Sequence, residues 1–176
     1  MLKIIEADEK YLDQYREAYI LAKEEIEKGN CSMHDMMFLN PDEVNIIEKF
    51  MDSRDSSKLP SNYVPSYDYF FVDDDKFIGV VHIRIKLTPN LFRFGGHIGY
   101  GINPKYWNKG YGTKLLRMTL DNYKDLIYED RILITCDDTN IASAKIIEAN
   151  GGVLDNKIEN TDDGEVFLTR RYWIDK

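Results

Sequence analysis

The chain is short of cysteine, has no long apolar run, and over one extended stretch lacks acidic residues altogether. Its two cysteines, Cys31 and Cys136, lie far apart and outside any CxxC or Cys/His spacing. That excludes a disulfide framework and a zinc signature, and no other set of residues suggests a metal site. A reducing cytoplasm is the compartment such cysteine usage predicts. No stretch approaches the roughly 18 apolar residues of a membrane span. The opening Met1-Leu2-Lys3-Ile4-Ile5-Glu6 turns acidic before a leader's apolar core could form. The expectation is a soluble, cytoplasmic protein without a membrane partner. Between Lys76 and Leu120 there is no Asp or Glu, while Lys76, Arg84, Lys86, Arg93, Lys105, Lys109, Lys114 and Arg117 add +8. The whole chain is −8, so the remainder carries −16. A basic island in an acidic protein favours a small anionic ligand and argues against nucleic acid as a partner.

With 176 residues, 43% hydrophobic and 31% charged, the chain suits one globular domain with a sizeable core. Leu2 to Glu6 reads as a strand. Asp8 then caps a helix with the apolar stripe Leu12, Tyr15, Tyr19, Ala22 and Ile26, closed by Gly29. Asn40-Pro41-Asp42-Glu43 predicts a second helix start, with Val44, Ile47 and Met51 facing inward. After a polar connector and an irregular arm from Pro60 to Pro65, Tyr67–Val72 and Phe77–Leu87 read as a hairpin about Asp73-Asp74-Asp75. Thr88-Pro89-Asn90 is read as a turn. Arg131–Cys136 is a short buried strand, and Asn140 starts a helix stopped by Asn150-Gly151-Gly152. Val153–Asp155 and Val166–Trp173 form a last hairpin around Asp162-Asp163-Gly164. The sum is an α/β (α+β) domain: a mixed, largely antiparallel sheet flanked by helices, with one helical crossover.

That crossover follows Gly95 to Thr113. A short strand ends at Asn103-Pro104, and a glycine-bearing loop then opens onto a helix whose inner face is Leu115, Leu116, Thr119, Leu120 and Tyr123. A helix start presents unpaired N–H groups and a partial positive charge, which suits a phosphate or pyrophosphate. The order Gly112-Thr113-Lys114 fails the Walker pattern, and Leu115 stands where a dinucleotide fingerprint needs its third glycine. On its own, the Gly110-Tyr111-Gly112 loop is equally a tight turn without a ligand.

Pro104 through Thr113, with Lys109-Gly110-Tyr111-Gly112 at its centre, resembles the acetyl-CoA loop of the GNAT superfamily of N-acetyltransferases. Asn140-Ile141-Ala142-Ser143 through Gly152 resembles that superfamily's next cofactor-contacting helix. Gly95–Tyr100, Ile134–Asp137 and Arg171–Ile174 resemble a bacterial group of predicted acetyltransferases. The likeness is good over 67–176, which it makes the acetyl-CoA core, and holds only in outline over 1–66, the acceptor side. It implies that main-chain groups of Tyr100, Gly101 and Ile102 pair with the pantetheine arm. It also implies that amides of Asn108, Lys109, Gly110, Tyr111, Gly112 and Thr113 hold the pyrophosphate, with Asn140 and Ser143 near the arm. Asn140 serves equally as a plain N-cap, and Trp107 and Tyr111 as core or adenine-side packing.

Two positions depart from the pattern. Trp107 replaces the loop's Arg/Gln, and Ile147 replaces the tyrosine that in many members is proposed to protonate the departing thiolate. His97 stands where many members carry a glutamate that works through water. It is either a structural histidine or a base with a pKa near 6.5, sharing a strand face with Gly99 and Gly101 and open space beside it. His34, His82 and Cys136 are read as structural, and Asp137-Asp138 as a turn. Tyr63, Tyr67 and Tyr69 line either a pocket or the core. The leading expectation is direct acetyl transfer from acetyl-CoA to the primary amine of a small molecule or peptide. Acidic helices between Asp8 and Glu48 would attract a polyamine, an aminoglycoside-like base, a protein N-terminus or a lysine. A non-catalytic acyl-CoA sensor is the alternative, and a homodimer is left open.

Overall fold

The computed structural model describes residues 1–162 and 164–176. Asp163, at the tip of the last expected hairpin, lies outside them. Strands β1 (Leu2–Ile5), β2 (Ser66–Asp73), β3 (Lys76–Arg84) and β4 (Ile98–Ile102) pair in that order, every ladder antiparallel. Strands β5 (Arg131–Asp137), β6 (Val153–Asp162) and β7 (Glu165–Asp175) form a second antiparallel sheet in the order β5-β7-β6. Asp74 takes the left-handed conformation, φ 52°, at the tip of the β2–β3 hairpin.

The first sheet is apolar on both faces because both are covered. Helix α1 (Leu12–Glu27) and helix α2 (Ile46–Asp52) bury Tyr15, Ala18, Ala22, Ile46 and Phe50 against Phe70, Val72, Phe77 and Val80. On the other side, helix α4 (Tyr111–Tyr123) and helix α5 (Ile141–Ala149) set Leu115, Leu116, Ala144 and Ile147 against Phe71, Ile78, Val81, Ile83, Ile132 and Ile134. Truncating one such side chain to Ala costs about 2–5 kcal/mol.

Several elements differ from the sequence reading. Asn40 does not start α2: its side chain accepts from the Asp42 amide in a tight turn, and Asn45 caps the helix by accepting from the Glu48 amide. The buried face is therefore Ile46 and Phe50, leaving Met51 exposed. Thr88-Pro89 is not a plain turn, because Thr88 accepts from the Leu91 amide and opens a short helix, α3 (Pro89–Arg93). β3 stops at Arg84 rather than Leu87. β6 runs on to Asp162 through polar residues, since it is an edge strand that pairs only with β7.

Candidate functional site

The two sheets meet at one pinch. The His97 amide donates to the Leu133 carbonyl at 2.8 Å, and the Leu133 amide donates back to His97 Nδ1 at 2.9 Å. Gly96 is needed here: its φ is 59°, and a Cβ on it would stand 2.5 Å from the Leu133 oxygen. Arg84 and Thr135 knit the same turn, Arg84 through the Gly95 and Gly96 carbonyls and Thr135 by accepting from the Gly95 amide. Past the pinch, β4 and β5 belong to different sheets and part.

Alternation along β4 determines which backbone groups face that gap. The His97 carbonyl accepts from the Arg84 amide and the Asn103 amide donates to Ile78, so the odd-numbered residues address β3. Those of Ile98, Tyr100 and Ile102 are turned to the gap. The Ile102 carbonyl is already used, accepting from Trp107 Nε1 at 2.7 Å. Trp107, which replaces the loop's usual Arg/Gln, thus pins the loop to the end of the strand. Gly101 is turned the other way, its carbonyl so close that a Cβ on Gly79 would lie 2.1 Å from it. What Gly101 supplies is the lack of a side chain, since its Cβ would stand 2.8 Å from Met37 Cβ.

Beyond Trp107, Asn108 (φ 58°) and Gly110 (φ 76°) take left-handed conformations, and Gly110 opens α4 with no side-chain cap. The Lys114 amide is the first to bond back, to the Gly110 carbonyl, leaving the amides of Tyr111, Gly112 and Thr113 at the free N-terminus. A Cβ on Gly110 would meet nothing within 4 Å, whereas one on Gly112 would lie 2.5 Å from Ile146 Cδ1. Gly112 therefore lets α4 and α5 pack closely. Lys109 folds back to donate to the Lys105 carbonyl. The Tyr111 hydroxyl donates to Asp73 at 3.2 Å and its half-buried ring packs against Phe71 at the edge of the core.

A cavity of about 270 Å³ opens beside the gap, walled by Met37, Arg84, Phe94, Cys136, Asn140 and Phe167 among others. Asp35 projects into it from a 3-10 turn (Met33–Asp35) capped by Ser32, whose hydroxyl accepts from the His34 amide. Burial pushes the Asp35 carboxyl above the usual carboxylate range, and the Asn140 side chain beside it opposes the shift. Asn140 also caps α5, its Oδ1 accepting from the Ser143 amide at 2.9 Å. Tyr100 and Ser143 share a hydroxyl–hydroxyl bond of 2.8 Å on the same wall, and burial pushes the phenol up. Burial likewise pushes the Cys136 thiol up to about 12. The cover is anchored by His82, which sits 2.6 Å from Asp68 and 3.0 Å from the Met37 carbonyl. His34 stacks on Phe167, its ring 3.9 Å away.

His97 is not at this cavity. It is wholly buried, Nδ1 is occupied by the Leu133 amide, and Nε2 lies 3.2 Å from Glu129 at an angle that closes no hydrogen bond. Burial pushes its pKa below the usual histidine value. The open space expected beside it is filled, since Met37 and Phe38 cover Gly99 and Gly101. The role of base does not fit His97; it joins the sheets. Ile147 is likewise core, pressed under Gly152 at the end of α5. Asp137 accepts from Thr139 in a turn, and Asp138 pairs with Lys157 and Arg170. Among the described residues no group of three His, Cys, Asp or Glu could hold a metal ion, and no helix is long and apolar enough to cross a membrane. Sequence reasoning missed Asp35 and Arg84. The Ser32-x-x-Asp35 capping pattern and a lone arginine closing an apolar strand were the available signals.

This fold has many solved counterparts. A microcin self-immunity acetyltransferase, MccE, in complex with acetyl-CoA and AMP superposes with a TM-score of 0.69 at 19% identity, covering 99% of this chain and 92% of that one. RimL, a ribosomal-protein alpha-N-acetyltransferase in complex with coenzyme A, gives 0.71 at 15%, covering 99% and 93%. A spermidine N-acetyltransferase SpeG chimera from Vibrio cholerae and hSSAT gives 0.64 at 15%, covering 99% and 94%. No curated protein matches the chain in sequence. The family model for the acetyltransferase (GNAT) domain matches residues 8–153, and the chain belongs to that family of acetyl-CoA-dependent acyltransferases.

Proposed function

We propose that the protein moves an acetyl group from acetyl-CoA directly to a primary amine that enters the cavity beneath Met37. The observation that carries this reading is the edge of β4, which among the described residues pairs with no strand beyond β3 and faces the same gap as Asp35. Acetyl-CoA supplies the acetyl group already activated as a thioester. The Tyr100 backbone and the Ile102 amide hold its arm in this reading, as an added strand would. The amides of Tyr111, Gly112 and Thr113 suit its pyrophosphate. Asn140 orients Asp35 through a side-chain hydrogen bond.

An alkyl amine is almost wholly protonated near neutral pH, so a group beside it must take a proton before it can attack. Asp35 fits that task, because burial raises its proton affinity toward working pH. The Tyr100–Ser143 hydroxyl pair is the proton donor on the sulfur side, in place of the tyrosine that Ile147 displaces. A thiol held up at about 12 is a poor nucleophile, which favours direct transfer over an acetyl-cysteine relay.

Free-thiol release from acetyl-CoA over a panel of primary amines tests the reading. Amine-dependent release is the expected result. CoA binding without release for any amine would return the protein to the sensor alternative.

A further inference from the structure

Among the described residues that wall the cavity, Arg84 is the one arginine or lysine. Its Nη1 donates to the Gly95 carbonyl at 3.0 Å and the Gly96 carbonyl at 3.2 Å. No carboxylate pairs with it among the described residues. The acid that acts on it most is Asp68, already engaged by His82, Ser53 and Ser66. A guanidinium has five N–H donors in a rigid fork, and pinning the turn uses only Nη1. Among the described residues Nε and Nη2 have no hydrogen-bond partner, and a Cβ on Gly99 would lie 4.0 Å from Nη2. Burial lowers the Arg84 pKa, as expected of a cation without its counter-ion.

The cavity therefore carries opposite charges on two walls. Asp35 and Asp137 stand at the Asn140 side, by the sulfur-side hydroxyls, and Arg84 stands at the Gly95–Gly96 turn. We propose that Arg84 binds an acidic group on the acceptor itself, so that the substrates are small amino-acid-type compounds carrying both an amine and a carboxylate. This rests on the acetyl-transfer reading above and narrows it. A cavity of about 270 Å³ has room for such a molecule. A polyamine would bring its second ammonium against the guanidinium, where like charges repel. A carboxylate can instead meet Nε and Nη2 side by side, the strong bidentate arrangement.

Matched pairs of acceptors test the proposal on the wild-type protein: amino acids beside their α-amides and their decarboxylated amines, with spermidine alongside. The expected result is kcat/KM at least about 10²-fold higher for the carboxylate-bearing member, expressed mainly in KM. Arg84→Gln should erase that preference while acetyl-CoA affinity stays within about twofold, and Arg84→Lys should restore only part of it. Equal or faster turnover of amides, decarboxylated amines or spermidine overturns the proposal and leaves acetyl transfer standing. No thiol release with any acceptor, from protein that binds CoA, defeats the acetyl-transfer reading and this inference with it. Should Arg84→Gln fail to fold, the wild-type pairs still decide.

Discussion

The two ends of the gap between β4 and β5 are built from different materials. At the α4 end the groups on offer are backbone: the Tyr100 edge, the Ile102 amide, and three free amides behind Asn108 and Gly110 in left-handed conformation. At the other end they are side chains on separate elements, Asp35 from a 3-10 turn, Arg84 from β3, and Asn140 and Ser143 from α5. Backbone presents the same amides under many sequences, so the first end suits a ligand shared across a family. Side chains change one substitution at a time, so the second end suits an acceptor particular to this chain.

If that division is right, substitutions at the two ends should separate cleanly. The largest effect is expected at the acceptor end. Asp35→Asn should lower kcat on the order of 10²-fold and abolish the acidic limb of the pH–rate profile, with acetyl-CoA binding little changed. A retained limb would move the base elsewhere.

The pinch belongs to neither end, and its effect should fall on stability. His97→Leu removes the acceptor of the buried Leu133 amide and should cost about 1–3 kcal/mol. Because burial lowers the folded pKa of His97, the unfolded chain takes up the proton first as pH falls. Stability should therefore be full above about pH 6.5 and decline as pH drops toward the folded value. Denaturant titrations across that window should show the slope in wild type and not in His97→Leu, while the acidic limb of catalysis persists in the variant. A vanished limb would restore His97 as the base.

At the cofactor end, Gly110→Asp sets a negative charge beside the free amides. CoA affinity should fall at least about tenfold, or 1.4 kcal/mol, with the fold intact. Calorimetric titration that finds unchanged affinity would remove the helix start from the cofactor site.

The same division governs how much could be read in advance. The strand, the Asn103-Pro104 break and the glycine loop lie in 19 consecutive residues, from Gly95 to Thr113, and spacing alone places them on one crossover. Even there a sequence does not show that Ile146 packs against Gly112. The acceptor wall comes from positions 35, 84, 140 and 143, which only the tertiary fold brings together. Asp35 sits in a stretch with neither helical nor strand period. Helix α3 escaped notice because Thr88-Pro89-Asn90 serves a turn and a capped helix equally well. β6 was cut short at Asp155 because an exposed edge strand carries no apolar face.

The cofactor end is defined by the backbone amides that meet CoA. Amide resonances followed during titration with CoA test it most directly. The Tyr100, Ile102, Tyr111, Gly112 and Thr113 amides are predicted to shift together and saturate with one affinity, while Gly101, turned to β3, responds less. Shifts confined to other surfaces, with those five amides unmoved, would contradict it.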